Sequence, residues 1–282
     1  MAEVVGDTGW AVIAGRDGHR ERGTDGGAMR TVSVGTSHDA WRGHAPVVVP
    51  SRPRWIVLCA AAETVGMTAA AAAARGGAAM TQGDATGADL LGAWAVVVGG
   101  GLVEGLALGL AQAWGLRVWL PRRRRLRWMM VTLVVAGVGW AAGSAPAILA
   151  GAGGTPPPAW TVAGGAVGVG VAMGALLGVA QAWVLRGVVP RPGLWVGACT
   201  AGWAVAMPVI FLGASTTGVA WSIPAVVGWG AATGAAAGAV LGAVTGLLLP
   251  AVASAPGRTT DPPERTAEPS PSTAPHPGRP GT

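Results

Sequence analysis

The chain has 282 residues, 51% of them hydrophobic and only 11% charged, with a formal net charge of +6 and a mean hydropathy of +0.49. A water-soluble domain carries about 25% charged residues, so a soluble fold is excluded, most sharply by the stretch from Trp128 to Leu185, which holds no Asp, Glu, Arg, Lys or His. All 19 basic residues are Arg, and the pI near 11.3 points to a membrane-facing charge pattern, with no nucleic acid expected as a partner.

In chain order, residues 1–54 are polar and Gly-rich, with apolar patches too short for a signal-peptide core. They are expected to form a disordered cytoplasmic tail. Six apolar runs follow, at about 55–75, 90–116, 128–150, 159–185, 194–213 and 220–249. Each reaches the ~20 residues a helix needs to cross a bilayer, and the first is the weakest. Residues 252–282 are rich in Pro, Ser and Thr, cannot bury a core, and are expected to be a second disordered cytoplasmic tail. The expectation is an all-α membrane protein whose six transmembrane helices occupy residues 55–251.

Placing the N-terminus inside the cell leaves thirteen arginines near the span ends in the cytoplasm, among them Arg54, Arg117, Arg122–Arg127 and Arg186, and only Arg75 outside. Such an excess fixes orientation. Both termini are therefore expected in the cytoplasm of a cell whose plasma membrane holds the protein. Trp55, Trp128 and Trp195 open the odd spans, and with Trp114 and Trp183 they are expected to sit as interfacial anchors at headgroup level.

The chain repeats itself. Residues 104–117 read EGLALGLAQAWGLR and residues 173–186 read MGALLGVAQAWVLR, a shift of 69; span 6 continues the series with GAVLGAVTGLLLP from Gly238, after a further shift of 64. Each copy spaces glycines by four: Gly101, Gly105 and Gly109; Gly170, Gly174 and Gly178; Gly234, Gly238 and Gly242. Small residues on one face let helix backbones approach closely, and spans 2, 4 and 6 are expected to pack against each other. The odd spans correspond from Trp55, Trp128 and Trp195, which places Cys59, Thr132 and Cys199 at one shared position. Three helix hairpins in the same orientation imply a pseudo-threefold axis along the membrane normal, one hairpin being split between span 1 and span 6.

These residues resemble a loose group of uncharacterised bacterial six-span membrane proteins whose hairpins repeat GxxxGxxQxxxLR before a Trp-led helix. The resemblance covers residues 88–250 and is poorest in the third copy, where Thr245 replaces Gln and Leu249–Pro250 replaces the LR ending. It supports the fold and implies no activity.

Two acids lie deep in the runs. Counting 1.5 Å per residue from the inner ends puts Glu63 ~12 Å and Glu104 ~18 Å into the membrane, on consecutive spans. Ionisable groups at that depth mark proton or ion pathways; the plainer alternative is a neutral acid bonded to a backbone carbonyl. Gln112, Gln181 and Thr245 each stand three residues after a repeated glycine, so around a threefold axis they would form a polar ring, either a constriction or a set of interhelical hydrogen bonds. Arg117, Arg122, Arg123, Arg124, Arg125 and Arg127 form a dense loop cluster that fixes topology and offers contacts to anionic lipid headgroups. Cys59 and Cys199, each in an apolar run, read as inert buried thiols.

No catalytic residues, metal ligands or cofactor site emerge: there is no HExxH, no P-loop, and all four histidines lie in the tails. The expectation is a non-enzymatic scaffold or accessory subunit, with a small channel or transporter using Glu63 and Glu104 as the alternative. A transporter is expected to have broken helices or a polar-lined route at midplane: Pro146, Pro208 and Pro224 are places where spans 3, 5 and 6 could be interrupted, and Glu63 and Glu104 are the only polar lining the spans offer there.

Overall fold

The computed structural model describes residues 48–149, 158–218 and 220–254; both tails expected to be disordered lie almost wholly outside them. The described residues form six helices: α1 (Arg52–Met80), α2 (Gly87–Gly115), α3 (Arg122–Leu149), α4 (Ala159–Leu185), α5 (Gly193–Ser215) and α6 (Ile223–Ala253). All six are long and apolar enough to cross a membrane. This is a six-span, all-α membrane protein.

Local chemistry sets the ends. Proline occupies the first turn of α1 and of α6, where its missing N–H costs nothing. A reciprocal capping box opens α2: Thr86 accepts from the Asp89 backbone N–H, and Asp89 Oδ2 accepts from the Thr86 N–H at 2.8 Å. Gly187 turns the chain out of α4 at φ +69°, a conformation that glycine adopts freely. The Arg122–Arg127 run is not a loop. It forms the first turns of α3, because Pro121 starts the helix and Arg is a good helix former. Helices α3 and α5 also continue through Pro146 and Pro208, and Pro224 lies in the first turn of α6, so none of the three prolines breaks a span.

Consecutive helices pack side by side, and α6 lies against both α5 and α1, closing a ring in chain order. The α3–α4 contact is much the thinnest. The end carrying Arg54, Arg117, Arg122–Arg127, Arg186 and Arg191 is called here the basic end.

The glycine faces do not pair with each other. The backbones of α2, α4 and α6 stay apart, and α2 and α4 meet through the Gln112 and Gln181 side chains; each lays its glycines on the following odd helix, with α6 returning to α1. A Cβ at Gly109 would lie 3.1 Å from Met129 Cα, at Gly178 2.8 Å from Val196 Cα, and at Gly242 2.8 Å from Ile56 Cα. One turn away, a Cβ at Gly174 or Gly238 would meet the carbonyl oxygens of Cys199 (2.6 Å) and Cys59 (2.5 Å). Close approach needs one smooth face only, and here the partner presents its backbone.

Trp55, Trp128 and Trp195 are fully buried and do not anchor at the headgroups. Their rings meet inside the bundle near the basic end, Trp195 lying 6.0 Å from Trp55 and 5.6 Å from Trp128. The exposed indoles at this end are Trp114 and Trp183, and Arg54 and Arg117 stack over Trp114 at 4.5 and 5.2 Å.

Candidate functional site

Each buried indole spends its N–H on the expected polar ring. Trp55 donates to Thr245 Oγ1 (2.9 Å), Trp128 to Gln112 Oε1 (3.3 Å) and Trp195 to Gln181 Oε1 (2.8 Å). Gln181 then donates to Gln112 Oε1 (3.1 Å) and to Thr132 Oγ1 (2.9 Å). Gln112 and Gln181 are thus bonded directly, while Thr245 joins them only through the packed Trp55 and Trp195 rings, and they line no passage. Hydrogen-bonded indoles fill the centre, and the arrangement is a plug. The Trp partners escaped the sequence reading because Trp55 and Thr245 are 190 residues apart.

Beyond the plug, away from the arginines, lies a cavity of about 290 Å³ walled mainly by α2, α3, α4 and α5. Thr132 and Leu108 form its floor, so Thr132 belongs to both plug and cavity. Glu104 is its one acidic wall residue, and most of the lining is apolar.

Glu104 has a built seat. Trp140 Nε1 donates to Glu104 Oε2 at 2.9 Å, and the Trp140 ring lies across Gly101, where any side chain would strike it. On the opposite side Gly66 makes room: a Cβ there would fall 2.5 Å from Glu104 Cγ. Behind this seat lies Glu63, 1% exposed, with neither carboxyl oxygen hydrogen-bonded and near enough to Glu104 to interact electrostatically. Residues 55–74 of α1 and all of α2 carry no Arg, Lys or His, the arginines of α1 lying towards its ends. Burying charge without a partner costs several kcal/mol, so neutrality at this pair must come from protons or from a cation. Trp140, Gly66 and Gly101 complete the site; the sequence marked Gly101 as a packing residue and Gly66 as a repeat position, 11 residues after Trp55 as Gly139 is after Trp128, and did not mark Trp140.

At the basic end, Arg124 Nη1 donates to the carbonyls of Val184 (2.8 Å) and Arg186 (2.6 Å), closing the C-terminus of α4. Arg124 and Arg127 share a small pocket with Trp183 and Arg186, whereas Arg117, Arg122 and Arg123 are exposed. Among the described residues no three His, Cys, Asp or Glu stand together as metal ligands would. Comparison with protein-family models, curated proteins and solved structures finds no match.

Proposed function

We propose that this protein is a non-enzymatic carrier of the plasma membrane that exchanges protons for a small cationic solute at Glu63 and Glu104. The observation that supports this is the acid pair itself. Glu63, deeply buried, has no hydrogen-bond partner, and Glu104 borders a cavity. A bundle selected only for stability has no reason to keep two acids there. A carrier fits better than a channel because the buried, hydrogen-bonded indoles of the plug block a continuous passage at the basic end. The matching contacts of the three glycine triplets and the three Trp-led pairs support a pseudo-threefold arrangement of hairpins. The arginine distribution supports cytoplasmic termini, with the pocket of Arg124, Arg127 and Arg186 meeting anionic lipid headgroups.

A second reading, the scaffold or accessory subunit, is favoured by the plug, whose polar groups satisfy each other as a rigid structural core would. Proteoliposomes separate the two. Carriers show proton or monovalent-cation uptake that disappears in a Glu63→Gln/Glu104→Gln variant; a scaffold shows no flux in either protein.

A further inference from the structure

The cavity beside Glu104 also carries information about what enters it. Its aromatic surfaces are Trp140, Trp203 and Phe211, and Met67, Met173 and Met207 supply flexible, polarisable wall. Among the hydroxyls, Thr132 donates to the Trp128 carbonyl (2.9 Å) and Ser144 to that of Trp140 (2.6 Å). Glu104 is left as the group able to receive a ligand, one oxygen held by Trp140. A small inorganic cation needs several oxygen ligands to replace its water, and this wall offers one carboxyl. A cation that carries its own apolar coat has far less water to lose, and aromatic faces attract it.

We infer that the cavity binds a monovalent lipophilic cation, an ammonium or phosphonium centre bearing a compact apolar body, which enters sideways from the membrane between α3 and α4. The inference rests on the carrier reading above and names its substrate class. The volume of about 290 Å³ lies just below the ~300–1,000 Å³ usual for small-ligand sites, which suits a single-ring body. The entrance follows from the thin α3–α4 contact. There the tip of the Met173 side chain lies over Gly139, and swinging a thioether aside costs far less than parting packed backbones.

Binding balances as an exchange: the protonated carboxyl releases H⁺ to solution as the organic cation pairs with the carboxylate. The titratable groups on the elements packed against the site are Glu63, Cys59, Arg52, Arg54 and Arg75 on α1, Asp89 on α2, the arginines that open α3, and Cys199 on α5, whose thiol meets Gln181 Oε1; α4, α6 and α3 beyond Arg127 contribute none.

The test is calorimetric titration of benzyltriethylammonium into full-length protein in nanodiscs of zwitterionic lipid, using buffers of different ionisation enthalpy. The expected result is saturable binding that releases about one proton per cation and tightens up to about tenfold per pH unit while protons occupy the site. Glu104→Gln should abolish binding, Glu104→Asp should retain it, and Trp140→Phe should weaken it about fivefold, all three melting near the wild-type temperature. Equal binding by wild type and Glu104→Gln, or binding without proton release, overturns the inference. Absence of binding alongside glutamate-dependent flux in proteoliposomes overturns the ligand class alone, and absence of both overturns the carrier reading as well.

Discussion

Glu63 is where stability and function are set against each other. A buried polar group without a partner costs about 1–3 kcal/mol, and both of its carboxyl oxygens are in that position. Glu63→Met, similar in volume and apolar, should therefore raise the melting temperature in detergent while removing cation-coupled flux. A lower melting temperature would mean that Glu63 is held by contacts the protein needs for folding. The two acids were legible in the sequence because a carboxyl in a run of apolar residues has no ordinary explanation there. What surrounds them was not legible. Trp140 is 36 residues from Glu104, and the repeat marks Gly66 without showing that it makes room for Glu104 until α1 and α2 are laid together. Trp55, Trp128 and Trp195 were misread for a related reason: an indole at the end of an apolar run has the pattern of a membrane-interface anchor, and its acceptor lies on another helix.

Among the helices, the glycines divide into those that touch a neighbour and those that face open space. Gly238→Val would drive a branched side chain against Cys59 O and the Ala60 Cα, 2.5 and 2.7 Å from the Cβ position. Its neighbours there are largely backbone and cannot swing away, so the cost should reach at least ~1–3 kcal/mol. Gly164→Ala, with nothing within 4 Å, should instead gain about 0.5–1 kcal/mol of helix stability. Equal effects in a thermal or denaturant series would show that α6 does not rest on α1 through this face. The six spans could be located from hydropathy because their lengths exceed what any buried soluble helix needs. The ends moved, α1 starting at Arg52 rather than 55, where Pro53 suits a first turn, and α6 running through Pro250 to Ala253 rather than stopping at 249. The partner of each glycine face was not readable, because a smooth face accepts any backbone. Glycine-face packing among the even helices was the wrong choice, since α2 and α4 meet only through side chains such as Gln112 and Gln181, and the return of α6 to α1 is a long-range closure that no local pattern announces.

At the scale of the molecule, the two ends of the bundle differ: one is plugged and rimmed with arginine, the other holds the cavity. If the basic end faces the cytoplasm, Arg123→Cys should react with a membrane-impermeant maleimide only in inverted vesicles and Asp84→Cys only in intact cells; the reverse pattern would invert the topology. Cys59 and Cys199 are buried and should give little background. The most direct test of the account is whether cation entry expels protons. In proteoliposomes containing a trapped pH dye, an inward gradient of benzyltriethylammonium should drive proton efflux through the wild-type protein and none through Glu63→Gln/Glu104→Gln. Cation uptake without proton movement, or equal proton movement in both proteins, would contradict it.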